Sequence, residues 1–134
     1  MKVSTKGRYA LRMLLDLAEH REQGFIPLKD IADRQDISKQ YLEQIVSIIS
    51  SLGALRTNRG KQGGYMLAKE PAAYTVGQIL RITEGNLAPI ACLEDEVNQC
   101  ERSKTCKTLS MWKGLNKVIC DYLEGITLQD LLDN

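Results

Sequence analysis

Three of the chain's four cysteines, Cys92, Cys100 and Cys106, stand in one short stretch with the spacing Cys92-x7-Cys100-x5-Cys106. Thiolates are soft donors, and three of them on a loop suit a thiophilic centre such as an iron–sulfur cluster or zinc. The stretch lacks the paired C-x2-C knuckles typical of structural zinc. Its charges pull both ways. Glu94, Asp95, Glu96 and Glu101 oppose thiolate formation, whereas Arg102, Lys104 and Lys107 favour it. Cys106 is predicted at the start of a long helix, where the N-terminal dipole also lowers a thiol pKa. Three unrelated surface cysteines are the alternative, disfavoured because exposed free thiols are rarely clustered by chance. Cys120 stands apart, in mid-helix among Val118, Ile119, Tyr122 and Leu123. At 1.5 Å rise per residue it lies roughly 21 Å from Cys106 along the axis, so it reads as a small packed residue. His20, the only histidine, is read as a surface residue near the end of the first helix, where the helix dipole favours it.

The frame around these thiols must be a modest one. The chain has 134 residues, 43% hydrophobic and 26% charged, an ordinary soluble globular composition. No apolar run approaches the roughly 20 residues of a membrane span, and the N-terminus lacks the apolar core of a signal peptide. A cytoplasmic location is expected, where thiols stay reduced and clustered cysteines mean metal or redox chemistry more often than disulfides. The net charge is only +1, but residues 1–65 carry 11 Lys/Arg against 7 Asp/Glu, and residues 66–134 carry 7 against 10. A basic half beside an acidic half suits a polyanionic partner on one side. No base–nucleophile pair is evident, which argues against an enzyme.

Ser4 or Thr5 caps a first helix to about His20, with Tyr9, Ala10, Met13, Leu14, Leu17 and Ala18 at helical spacing. Gly24 and Pro27 break the chain. A short helix covers about Leu28 to Arg34, and Gln35-Asp36-Ile37 makes a tight connection. Ser38 is a good N-cap for a helix from about Lys39 to Leu52 that buries Leu42, Ile45, Val46 and Ile49. Gly53 follows, suited to the left-handed C-terminal position. Leu55-Arg56-Thr57 and Gly64-Tyr65-Met66-Leu67 read as a β-hairpin with a polar, glycine-rich tip. Thr75 with Gln78 forms a capping box for a helix to about Glu84. The segment from Gly85 to Thr105 is loop. Met111, Leu115, Val118, Ile119, Tyr122, Leu123 and Ile126 give a long helix from about Lys107 its stripe, and Thr127 with Asp130 caps a last short helix.

Helix, short helix, tight turn, capped helix and hairpin is the order of a winged helix-turn-helix. The fold class expected is mainly α with a small β-hairpin wing, followed by a long C-terminal dimerisation helix. The organisation expected is a DNA-binding unit at 1–85, a cysteine-bearing sensor loop at 86–106, and a dimerisation helix with a terminal short helix at 107–134. The recognition helix offers Ser38, Lys39, Gln40, Tyr41, Glu43 and Gln44 to a major groove. Gln can pair with adenine through two hydrogen bonds, and Ser or Lys can reach bases or phosphates. Glu43 repels phosphate and accepts only from a donor such as the cytosine amino group, so it can act against wrong sites. Arg59 and Lys61, beside Gly60 on the wing tip, can approach a backbone or a narrow minor groove. Lys6, Arg8 and Tyr9 near the first helix can contact phosphates. The alternatives are that Ser38 only caps and that Arg59 and Lys61 only solubilise a turn, and, for the whole order of elements, a winged protein–protein module.

The motifs Ser4-Thr5-Lys6-Gly7-Arg8-Tyr9-Ala10, Tyr41-Leu42-Glu43-Gln44, Arg59-Gly60-x-x-Gly63-Gly64-Tyr65 and Ile126-Thr127-Leu128 resemble those of the Rrf-two family of bacterial regulators over nearly the whole chain. The resemblance is strongest to its IscR-type iron–sulfur branch, with the CymR-type cysteine-metabolism repressors second. It implies a homodimer on a roughly palindromic operator in double-stranded DNA, and repression of cluster-assembly genes when loaded. It also implies a 2Fe–2S cluster on Cys92, Cys100 and Cys106, and a role for Glu43 in discriminating operator classes. One departure bears on the ligand set. The enterobacterial branch has a histidine three residues after the third cysteine, where this chain has Leu109, and the nitric-oxide-sensing branch uses an aspartate where this chain has Arg8. The fourth ligand is therefore open among Glu101, Thr108, Ser110, a group from the partner subunit and an exogenous thiol.

Overall fold

The chain enters its first helix at Ser4, whose extended backbone and side-chain acceptor for the Gly7 N–H start α1 (Thr5–Glu19). In the computed structural model, which describes residues 2–134, α1 is the central strut. It buries Ala10, Met13, Leu14, Leu17 and Ala18, and it touches α2 (Leu28–Gln35), α3 (Lys39–Ile49), the hairpin strand β2 (Gly64–Leu67), α4 (Val76–Glu84) and the terminal α6 (Leu128–Leu132). The α2–α3 turn is closed by Asp36 in the left-handed region at φ 53°, its N–H returning to the Ala32 carbonyl. Aspartate is among the few residues that accept that conformation. Ser38 then caps α3, accepting from the Tyr41 N–H at 3.1 Å. The expected inward face, Leu42, Ile45, Val46 and Ile49, is buried.

The α-helix α3 ends at Ile49, short of Leu52. The Ser50 hydroxyl donates back to the Val46 carbonyl at 2.6 Å, and residues 50–52 tighten into a 3-10 turn before Gly53 at φ 64°. Serine competes with the helix for backbone partners in this way. The strands β1 (Leu55–Asn58) and β2 pair antiparallel from Leu55↔Leu67 to Asn58↔Gly64. Ile26 adds an isolated bridge to Tyr65, its N–H and carbonyl both paired at 2.8 and 2.9 Å. Tyr74, 5% exposed, donates its hydroxyl to the Ala54 carbonyl at 2.7 Å and accepts the Lys69 N–H at 3.0 Å, closing the base of the wing.

The reciprocal Thr75–Gln78 capping box starts α4 as expected. The long helix α5 (Leu109–Glu124) starts two residues later than its apolar period suggested, because Thr108 makes no side-chain cap and residues 106–108 form a turn. None of its residues is fully buried. Ile119 and Leu123, with Ile126, pack on Val76, Leu80 and Leu87. Met111, Leu115, Val118 and Tyr122 point to solvent, 41–67% exposed. The Thr127–Asp130 capping box starts α6, and Leu128, wholly buried, joins the core around α1. Among the described residues no helix is long and apolar enough to cross a membrane.

Candidate nucleic-acid interface and cysteine loop

On α3 the residues opposite the buried face, Lys39, Gln40, Glu43 and Gln44, are exposed. A groove runs between α3 and the wing, lined in part by Lys29, Lys39, Glu43, Asn58, Arg59 and Gly60. Three cations against one carboxylate make it a place for a polyanion. Gly60 sits at φ 112°, a conformation that other residues rarely adopt, and Lys61 beside it is exposed. The structure thus brings Lys39, Glu43, Arg59 and Gly60 together and adds Lys29, which the sequence reading did not single out. Its signal was available: a lysine one residue into the first helix of the helix-turn-helix.

Lys6, Arg8 and Tyr9 lie outside that groove. Arg8 is exposed and donates to the Thr5 hydroxyl at 3.1 Å, and Lys6 is half-buried. Tyr9 and Tyr41 are both half-buried and meet edge-to-face, 5.6 Å between centroids at 77°. Arg12 lies over the Tyr9 ring at 5.0 Å and bonds both the Gln35 side chain and its carbonyl. The tyrosines therefore set the start of α1 against the start of α3. Ser38, though exposed, commits its acceptor to the cap.

Beneath this surface lies a buried ion pair absent from the sequence reading. Asp16, 1% exposed, accepts from Arg34 Nη2 and Nε at 2.7 and 3.0 Å and from Gln35 Nε2 at 3.0 Å. Burial works to raise the Asp16 pKa, but the hydrogen bonds from Arg34 and Gln35 and the Arg34 charge together hold it below its ordinary value. The visible sign was a carboxylate on the apolar stripe of α1, between Met13 and Leu17. His20 caps the same helix end, with Nδ1 at 2.7 Å from the Asp16 carbonyl and 3.6 Å from its carboxylate. It is a half-buried capping residue and not a free surface histidine.

The cysteines lie on the segment joining α4 to α5. Cys92 is half-buried in a single 3-10 turn, Ala91–Leu93. Cys100 is exposed, its N–H donating to Asn98 Oδ1 at 2.8 Å, while the buried Asn98 Nδ2 has no partner. Cys106 is exposed, one turn ahead of α5, with Sγ 3.3 Å from Thr108 Oγ1. That hydrogen bond, helped by the Thr108 and Leu109 backbone and by Arg102, lowers its thiol pKa. Among the described residues no three His, Cys, Asp or Glu side chains converge closely enough to hold a metal ion, so the three thiols share a loop without meeting. Cys120 is half-buried on α5, its thiol 3.8 Å from Asn116 Oδ1.

A family model described as Rrf2, iron-dependent transcriptional regulator, matches residues 3–134. The regulator CymR of Bacillus subtilis is 40% identical over 131 residues, covering 98% of this chain and 89% of that protein. The regulator IscR of Yersinia pseudotuberculosis is 37% identical over 134 residues, covering all of this chain and 80% of that protein. A solved structure of T. potens IscR superimposes with a TM-score of 0.77 at 38% identity, covering 99% of this chain and 87% of that one. These relatives are transcriptional regulators and not enzymes. With its winged helix-turn-helix, basic groove and match along nearly its whole length, the chain belongs to the Rrf2 family of DNA-binding transcriptional regulators.

Proposed function

We propose that the protein is a homodimeric, sequence-specific repressor of iron–sulfur cluster biogenesis genes that senses cluster status through Cys92, Cys100 and Cys106. The observation that carries this reading is the placement of three free thiols on the irregular segment between the DNA-reading unit and α5. The donor set fits a 2Fe–2S cluster in chemistry, and the segment has no α-helix or strand that drawing the thiols together would break. When bound, such a cluster would supply a labile, redox-active link between three points of the loop. Exposed Glu101, Thr108 and Ser110 can offer a fourth ligand, as can a partner group or an exogenous thiol.

The rest is done by this chain's own side chains. Met111, Leu115, Val118 and Tyr122 recur at four, three and four residues, the a/d spacing of a helix seam, and present it to a second copy. A two-fold pair of α3 helices suits half-sites about 34 Å apart on roughly palindromic DNA. Gln40 and Gln44 face bases, Lys39 and the wing residues Arg59 and Lys61 face backbone or minor groove, and Lys6, Arg8, Tyr9, Ser38 and Tyr41 orient or contact phosphates. Glu43 penalises sites that offer it no donor. Anaerobic purification with iron and sulfide assay tests the sensing claim. Wild type should show a cluster absorption spectrum that Cys92→Ala loses, and operator affinity should change with loading. Identical operator binding by the two proteins would defeat it.

A second reading, a thiol-responsive cysteine-metabolism repressor without a cluster, is favoured by the exposed, pKa-lowered Cys106 and by the 40% identity to CymR. A colourless protein after anaerobic purification, with a reversible disulfide by mass spectrometry, would select it.

A further inference from the structure

Two glutamates rest on two glycines where α4 meets its neighbours: Glu84 of α4 on Gly7 of α1, and Glu124 of α5 on Gly77 of α4. Glu84, the last residue of α4, accepts with one oxygen, Oε1, from both the Ser4 N–H at 2.9 Å and the Ser4 hydroxyl at 2.7 Å. Ser4 is itself the cap of α1, its Oγ accepting from the Gly7 N–H at 3.3 Å. A Cβ on Gly7 would stand 2.4 Å from that Glu84 oxygen and 3.1 Å from both Leu80 and Val3. Glu124, the last residue of α5, bonds the Thr75 hydroxyl at 3.1 Å and the Arg81 guanidinium. A Cβ on Gly77 would stand 2.4 Å from its Oε1 and 2.8 Å from its Cδ. Gly7 and Gly77 lie in the first turns of α1 and α4, where no positive φ calls for glycine. The carboxylate resting on each explains its presence.

These two clasps form one mechanical line. The end of α5 holds the start of α4 through Thr75 and its last turn through Arg81. The last residue of α4 holds the cap of α1. The first turns of α1 carry Lys6 and Arg8, and Tyr9 packs there on Tyr41 at the start of the recognition helix. We propose that α4 is the coupler between α5 and the DNA-contacting start of α1, with Glu84 and Glu124 as its positioning residues. The placement of α5 then sets where Lys6, Arg8 and the Tyr9–Tyr41 contact stand on DNA. This inference rests on the DNA-binding reading.

The test uses the full chain with a mixed-sequence duplex and with a duplex selected from a random library. Glu84→Ala should weaken binding about tenfold and lower the slope of log affinity against log salt by about one, the loss of a phosphate contact. Glu84→Gln, which keeps the accepting oxygen, should restore most of both. In a Lys6→Ala/Arg8→Ala background, Glu84→Ala should have no further effect. Arg81, three residues from Glu84, is replaced by Ala in every member of this cycle so that Glu124 is read only through Thr75, which is roughly 13 Å from Glu84 along α4, a separation at which independent effects add. The Glu84→Ala/Glu124→Ala double variant should nevertheless bind no worse than the weaker single variant. An unchanged salt slope in Glu84→Ala, or additive losses in the double variant, would overturn the coupler. If Glu84→Ala fails to fold, Gly7→Ala, which pushes the carboxylate off Ser4, takes its place with the same two expectations. Wild type that binds neither duplex at low salt would remove the DNA-binding reading and this proposal with it. Salt-dependent wild-type binding with additive variants removes this proposal alone.

Discussion

At Asp16 a carboxylate 1% exposed lies in the apolar stripe of α1, and Arg34, 32% exposed at its side chain, reaches in to meet it. Removing one member of such a pair leaves the other without compensation. For a fully buried pair that costs 3–5 kcal/mol, and the partial exposure of Arg34 lowers the expectation for Asp16→Asn to about 2–3 kcal/mol near pH 7. The sign with pH follows from the direction of the shift. The folded pKa of Asp16 lies below its unfolded value of about 3.9. Its contribution is therefore whole above about pH 4 and is lost as pH falls through the folded value. Urea unfolding near pH 7 and near pH 3 should show wild type losing stability with acid and Asp16→Asn losing less of it. An asparagine variant as acid-sensitive as wild type would show that another carboxylate carries the effect. The same pair anchors the end of α2, one turn before the recognition helix, so its loss should also weaken DNA binding.

Among the elements, the wing is the one whose placement depends most on a single small residue. A Cβ on Gly64 would stand 2.2 Å from the Ile26 carbonyl oxygen and 2.7 Å from the Pro27 nitrogen. Backbone atoms cannot swing away as a side-chain tip can. Gly64→Ala should therefore break the Ile26–Tyr65 bridge and cost about 1–3 kcal/mol. Hydrogen exchange should show the Ile26 and Tyr65 amides losing protection while those of α1 keep theirs. Equal protection in the variant would mean that the strand shifts without releasing the bridge. The hairpin itself was readable from alternation and a glycine-rich tip. The third arm at Ile26 was not, because one bridged residue has no period to detect.

For the whole molecule, the proposed seam between copies is the exposed stripe on α5. Val118 is 64% exposed and points roughly 100° around the helix from Ile119, on a stripe flanking the face that packs on α4. Val118→Glu should therefore leave the protomer folded while placing a charge in the seam between copies. Sedimentation should find wild type dimeric and the variant monomeric. Affinity for a duplex with two half-sites should fall about a hundredfold, since the second half-site is no longer tethered. A variant that remains dimeric would place the interface elsewhere.

The order of helices, the caps at Ser38, Thr75 and Thr127, a first cap at Ser4 or Thr5, the hairpin and the inward faces of α1 and α3 were all legible in the chain. Each depends on residues within a turn or two of one another, where period and hydrogen-bonding habit act directly. The cysteine trio was legible as a cluster in sequence for the same reason. Tertiary structure decided what depends on residues far apart: Arg34 against Asp16, Glu84 on Gly7, Glu124 on Gly77, Ile26 beside Tyr65 and Lys29 in the groove. It also decided that Cys106 precedes α5 by one turn and owes its lowered pKa first to Thr108. A charge on an apolar stripe or a glycine inside a helix announces that something must lie against it. Only the packed chain says what, because the partner is chosen by the meeting of surfaces and not by local conformation.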